Sequence, residues 1–429
     1  MVVAGCAGGG IVDLARQGDL AGLKRELTAL SQSRGALAPR VVLQLSRATV
    51  ARDLRTAKPE QAARLVDLLS PCAKALSSEL RERARAKDDA AARATLMLLD
   101  SGELSPDTVI GRTRHVAGDA WRAALARALV RPGWGKLRRS FVDDPDERVR
   151  RSALKAAGIA KDPDDLSDLL EASRLDPDPK SRQLALTAIG ALGGPRVALA
   201  LRDSWAESDS DTRLGIVNAW AAPRVRSVGG TRELVWAAET QDSREGVAAA
   251  AALVRLEPSG TGASKQATGQ VPATELRELG HVLVARSIAE GSAPERKYAI
   301  ELADPQEPLA RAALEKAAKD DDKALRVAAL SRLLEVESLR SKALQQLREQ
   351  CARHDDVGRA AREALVKAGD PSVVPLLLAE LSAKQEEARA TAAEDLVELG
   401  QQPLAAISLT DSSPEVRVRA ACALASSRE

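Results

Sequence analysis

Aromatic side chains are scarce in this chain: five Trp, one Tyr and one Phe among 429 residues. A core without them is built from Ala, Leu and Val. Those side chains suit closely packed helices better than sheets, which favour β-branched and aromatic residues. An excess of one charge is also missing, with 63 Lys+Arg against 61 Asp+Glu. That balance excludes a global pull toward nucleic acid or an acidic membrane. No apolar run approaches the roughly 18–20 residues that cross a bilayer. The four cysteines, at 6, 72, 351 and 422, are far apart in sequence. Their spacing excludes a zinc-type CxxC pair, and so few in so long a chain argue against a disulfide framework. His115, His281 and His354 stand alone. No metal, no cofactor and no catalytic centre are expected.

What is present is a folded composition, 45% hydrophobic, and a repeat. The segment Asp144-Pro-Asp-Glu-Arg-Val-Arg-Arg-Ser-Ala-Leu-Lys-Ala-Ala157 aligns with Asp176-Pro-Asp-Pro-Lys-Ser-Arg-Gln-Leu-Ala-Leu-Thr-Ala-Ile189. Both have an Asp-Pro turn and then an Arg. The same frame places Arg at 122, 150, 182, 213, 244, 296, 326, 389 and 417, with Gly358 in one further copy. Successive copies lie about 30 residues apart, with one longer step between Arg244 and Arg296. Three places after this column stand Leu125, Ala153, Ala185, Ile216, Val247, Ala299, Ala329, Ala361, Ala392 and Ala420. Seven places after it stand Leu129, Ala157, Ile189, Trp220, Ala251, Ala303, Leu333, Leu365, Leu396 and Leu424. Both columns are wholly apolar at the i, i+4 spacing of one helix face. The small residues of the first let neighbouring helices approach closely.

Asp146, Asp178, Asp209, Asp322 and Ser413 are placed as N-caps, and Pro179 and Pro414 take the first helical position. Second amphipathic stretches fall between, at 166–175, 195–206, 309–319 and 373–381. Each unit thus reads as helix, turn, helix.

The pattern Asp-Pro-x-x-x-Val-Arg-x-x-Ala-x-x-x-Leu/Ala is similar to HEAT repeats, above all the short bacterial kind related to phycobilisome-lyase repeats. The resemblance covers 111–429. It implies an all-α fold, an α-solenoid of HEAT-like helical hairpins of armadillo-like character. It also implies that the Arg column pairs with turn Asp residues of adjacent units rather than forming a phosphate ladder. As to function, it points to scaffolds and binding surfaces.

Residues 11–110 are helical but irregular and are expected to cap the open end of the stack. Within them, 12–30 resembles an ankyrin-type helical hairpin around Gly18-Asp19. An insertion at 257–274, rich in Gly, Ser and Thr, is expected to be a flexible loop. At the start, Val3-Ala4-Gly5-Cys6 resembles a bacterial lipobox, which implies a diacylglyceryl group on Cys6 and a tether over the rest of 1–10. A signal peptide's basic start and apolar stretch are not among the residues before Cys6. Ala7 after the cysteine implies sorting to the outer membrane. The expected location is the cell envelope, facing the periplasm, or the cytoplasm without the lipid.

Other motifs read as structure. The Asp-rich turns at 143–146 and 320–322 lack the Gly and terminal Glu of an EF-hand loop and read as caps. Ser152-Ala-Leu-Lys155 has the spacing of a penicillin-binding nucleophile but lacks its companion motifs. Arg131-Pro-Gly-Trp-Gly-Lys-Leu-Arg-Arg139 is the most basic stretch and reads as an inter-repeat turn. Five places after the Arg column comes a more polar series: Arg127, Lys155, Thr187, Asn218, Ala249, Glu301, Ser331, Glu363, Glu394 and Cys422. Its polar members should face outward on the second helices, running from basic to acidic. They form the candidate strip for protein partners. The expected function is a non-enzymatic interaction scaffold. The alternatives are a lyase-like chaperone of cofactor attachment or a HEAT-like nucleic-acid repair module.

Overall fold

The computed structural model describes residues 7–33, 37–113, 118–240, 243–256 and 271–427, with side chains from Gly10 onward. The lipobox through Cys6, His115 and residues 257–270 of the insertion lie outside these. Ala273 and Thr274, assigned to the insertion from sequence, open the helix Ala273–Glu290. Every regular element among the described residues is helical. The chain divides into two compact units, one of residues 129–362 and one of residues 1–128 with 363–429.

In the 129–362 unit, helices come in pairs. Gly135–Val142 precedes Glu147–Ala160, Leu166–Leu175 precedes Pro179–Leu192, and Pro195–Trp205 precedes Ser210–Ala221. The second helices stack in order, Glu147–Ala160 on Pro179–Leu192, then Ser210–Ala221, then Arg244–Val254. The stack forms because the two apolar columns are its core. Ala153, Ala185, Ile216, Ala299 and Ala329 are fully buried, as are Ile189 and Trp220. Small residues set the spacing. A Cβ at Gly158 would stand 3.2 Å from the Cα of Ala188, and one at Gly190 3.2 Å from the Cα of Ala219. Asp146, Asp178, Asp209 and Asp322 each accept from backbone N–H groups of the first turn, as the caps expected from sequence.

The other unit joins both ends of the sequence. Ala7–Gln17 and Leu20–Gln32 form the expected hairpin, turning at Gly18 with φ 80° and capped by Asp19. The repeat helices Glu386–Glu398 and Pro414–Ser426 stack on each other. Ser413 stands before the last helix as expected, but its hydroxyl donates to Glu386 rather than capping. Pro414–Ser426 then packs against Pro39–Thr56 from the N-terminal region. The N-terminal helices therefore cover the end of the repeat that lies farthest from them in sequence.

Two devices fasten this contact. Cys72 and Cys422 form a disulfide with Cα atoms 5.4 Å apart, which corrects the sequence argument against disulfide pairing. Cys422 sits in a column read as facing outward, yet it is buried. Beside it, Arg417 donates to both oxygens of Asp53 at 2.8 and 3.1 Å, and Asp53 also accepts from Arg52. All three side chains are buried.

Candidate interaction surface

The Arg column is a structural ladder. In the 129–362 unit, Arg150 donates from Nε and Nη2 to Asp176 at 2.8 and 3.0 Å, and from Nη1 to the carbonyl of Asp144 at 2.9 Å. Each such Arg ties its own turn to the turn of the next repeat. Arg182 repeats the arrangement with the carbonyl of Asp176 and the carboxylate of Asp209. Arg296 reaches Asp320, holding that carboxyl below its ordinary range. A parallel pair adds to the ladder, Arg151 with the cap Asp178 at 2.6 and 2.8 Å, and the Arg151 guanidinium holds the Asp178 carboxyl well below the carboxylate range. In the other unit, Arg389 pairs with Asp411 at 2.7 and 3.0 Å. Arg417 takes its carboxylate from Asp53, on Pro39–Thr56.

The ladder is not uniform. Arg213 donates to the carbonyls of Trp205 and Ala206 without an Asp partner, and Arg244 lies over the ring of Tyr298 at 5.2 Å. Of the basic side chains in the stretch 131–139, only Arg138 is buried in the fold, while Arg131, Lys136 and Arg139 are exposed. Arg138 is 1% exposed and lies between Asp162 and Asp165, with its Nη1 on the carbonyls of Leu129 and Arg131. Burial pushes the Asp165 carboxyl up despite Arg138. Arg139 pairs with Asp168 at 2.8 Å, and Arg131 lies over Trp134. Ser152 is buried, while Lys155 is exposed.

The candidate strip falls on both units. Lys155, Thr187, Asn218 and Glu301 belong to the 129–362 unit and are exposed. The first three lie on three helices stacked in direct succession. Arg127, Glu363 and Glu394 belong to the other unit. Of these, Glu363 is exposed and pairs with Lys367, but Arg127 and Glu394 are half-buried. Arg127 pairs with Asp100 at 2.7 Å and Glu394 with Arg419 at 2.6 Å. Their charges are engaged by the fold. Ala249 is fully buried, so the column is interrupted there.

A groove in the 129–362 unit was missed by the sequence reading. Its volume is about 760 Å³. Three aliphatic side chains on its wall are exposed: Leu199 by 56%, Val228 by 41% and Val271 by 53%. One wall is the wide turn Arg226–Gly230, where Gly229 takes φ 134°, a region that favours glycine. The pair Gly229-Gly230 was the available signal. Beneath the groove Trp205 and Trp220 stack at 5.2 Å, and Trp236 meets Trp205 edge-on at 5.5 Å. Trp220 Nε1 donates to the carbonyl of Ala198, a groove residue. Arg202 lies over Trp236 and pairs with buried Glu233 at 3.0 Å. Three of the five tryptophans thus form one cluster supporting the groove floor.

Residues 136–221 match the family of HEAT repeats. No curated protein sequence matches the chain. Among solved structures, the chain is similar to a mutant of Kap121p at 10% identity and a TM-score of 0.32, over 93% of this chain and 46% of that one. It is also similar to She4p, at 10% identity and a TM-score of 0.27, over 91% of this chain and 66% of that one. The chain therefore spans somewhat under half of the first of these structures and about two thirds of the second. The match places HEAT repeats at 136–221, and the stacked helical pairs, the buried Ala and Leu columns and the Arg–Asp ladder give the described residues around it a helical-repeat architecture.

Proposed function

We propose that this protein is a non-catalytic scaffold that binds a protein partner along the outer face of its second helices. The observation that carries the reading is the register of Lys155, Thr187 and Asn218. The same position of three successively stacked helices is exposed, while the neighbouring columns three and seven places after the Arg are buried. Repeats that share one register present one continuous surface, the usual basis of recognition in such proteins. Lys155 begins this face with a positive charge, which orients a partner's acidic part toward the Glu147–Ala160 helix.

The test is replacement of the face as a whole. A partner captured by the wild-type chain and mapped by cross-linking to 147–221 should be lost from the triple variant Lys155→Glu, Thr187→Arg, Asn218→Arg. Circular dichroism and melting should be unchanged, since all three positions are exposed. Retention of that partner by the triple variant sinks the reading.

The proposed location is the cell envelope, with a lipid on Cys6 and the repeats facing the periplasm. The sequence support is Val3-Ala4-Gly5-Cys6, and the structural support is the Cys72–Cys422 disulfide, a bond that persists in oxidising compartments. Expressed with its native upstream region, the protein should fractionate with membranes, and Cys6→Ser should release it. Equal membrane association of the variant refutes the anchor.

A further inference from the structure

We infer that the groove beside the wide turn Arg226–Gly230 is a second docking site, and that its occupant is a short acidic peptide segment bearing aliphatic side chains. The inference rests on the scaffold reading and names the chemistry of one partner segment. Its volume, about 760 Å³, lies within the range of ligand-binding clefts. The floor and walls are aliphatic: Ala198, Leu199, Val228, Val235, Val271 and Leu276. The exposure of Leu199, Val228 and Val271 leaves apolar area in water that a bound aliphatic side chain would cover.

Charge selects the class of peptide. Glu233 is the one acid among the lining residues, and it is already held by Arg202 and Arg232. Arg226 lines the groove, and its guanidinium has no partner among the described residues. Arg224 precedes it by two positions and Arg196 follows the lining residue Pro195. Both are exposed and likewise without a partner among the described residues. The groove's own acid is therefore engaged, while three guanidiniums on the two segments flanking the groove have no partner among the described residues. This contrasts with Arg138, Arg150 and Arg151, each paired with an Asp inside the fold. An arginine rim over an aliphatic floor is complementary to carboxylates flanking aliphatic side chains.

The chain's own insertion does not supply such an occupant. Residues 257–270 contain one acid, Glu257, and no Val, Leu, Ile or aromatic residue. On the groove's inner side, the ring contacts of Trp236 and the buried Glu233 pack Thr231–Thr240 into the fold.

The test uses the full chain and a fluorescein-labelled peptide, Asp-Asp-Leu-Ser-Leu-Asp-Asp, followed by anisotropy. Saturable binding is expected, with a change in tryptophan emission from the cluster below. Serine in place of both leucines, or lysine in place of the aspartates, should each weaken binding by at least about tenfold. Leu199→Ser and Arg226→Glu should do the same from the protein side, with helical content intact because neither side chain is buried. Binding indifferent to the peptide's charge, or unchanged in both protein variants, overturns the proposal. So does a dimer in sedimentation that Leu199→Ser abolishes, which would assign the groove to a second copy. If the groove variants change nothing but the triple variant at 155, 187 and 218 still loses its partner, the scaffold reading stands and the groove proposal alone falls.

Discussion

Both units tie column arginines to nearby turn acids, as Arg389 to Asp411 in the unit of residues 1–128 and 363–429, but that unit also sends one arginine across the chain. Between residues 129 and 362, the ties between repeats join near neighbours: Arg150 with Asp176, Arg151 with Asp178, Arg182 with Asp209 and Arg296 with Asp320. In the unit built from both chain ends, Arg417 makes its pair with Asp53, 364 positions away, and Cys72 joins Cys422 across 350. The helix position and the chemistry are the same, and only the origin of the carboxylate differs. A repeat closes each contact over a short loop at low entropic cost, whereas the end-to-end contact must close almost the whole chain. Local ties make one unit robust to the loss of any single rung. The other unit concentrates its long-range stability in a buried charge cluster and one covalent bond.

The largest effect should follow from breaking that cluster. Asp53→Ala leaves Arg52 and Arg417 buried without their shared acid, and loss of one partner of a buried pair costs about 3–5 kcal/mol. Hydrogen exchange should show Pro39–Thr56 and Pro414–Ser426 losing protection while Pro179–Leu192 keeps it. Equal loss in all three helices would break the comparison, because the units would then unfold together.

The disulfide should matter somewhat less. Cys72→Ser with Cys422→Ser removes a cross-link that typically contributes about 2–4 kcal/mol, chiefly by constraining the unfolded chain. Calorimetry should show a lower transition for the end-joined unit. Adding reductant to the wild type should reproduce the shift, and reductant should leave the double variant unmoved. A double variant that melts with the wild type under oxidising conditions would show that the ion cluster alone holds the ends.

Much of this was legible in the sequence, for a physical reason. A repeat writes the same constraint many times, so the buried columns and the Asp caps could be read from spacing, and the Arg partners of the turns followed from the resemblance to HEAT repeats. The exceptions are single events. Asp53 sits in a helix outside the repeat frame, and nothing periodic marks it as the acid for Arg417. The pairing of Cys72 with Cys422 leaves no trace in spacing, because a cross-link over so long a loop has no characteristic separation. Arg127 and Glu394 read as surface residues from their column, but partners on neighbouring helices, Asp100 and Arg419, draw them inward. The groove depends on a wide turn that interrupts the regular hairpin, and its arginines resemble any others until their lack of acids is seen in space.

The smallest expected effect sharpens the comparison through pH. Asp395 lies in the end-joined unit, on Glu386–Glu398, and its carboxyl is pushed up to about 7. Burial is the main cause, followed by the negative charges of Glu398, Glu380, Glu394 and Glu363. Lys367 also faces this group, with its charged form favoured by Glu363 first and by Asp395 among others, and Arg419 is held by Glu394. In the unfolded chain the Asp395 carboxyl returns to its ordinary value near 3.8. The folded state therefore binds the proton more tightly, and stability falls as pH rises wherever the folded state holds more protons. This group's contribution is complete below pH 3.8 and is lost as pH rises through about 7. Asp395→Asn keeps the uncharged form at every pH. Denaturant melts of the end-joined unit should thus lose stability between about pH 4 and 7 in the wild type more steeply than in the variant, with the variant more stable at pH 8. The exchange of amides in Pro179–Leu192 should follow the same pH course in both proteins. If wild type and Asp395→Asn show identical pH profiles in the end-joined unit, Lys367 and Arg419 already neutralise the acidic cluster, and the two units do not differ in their response to pH at this site.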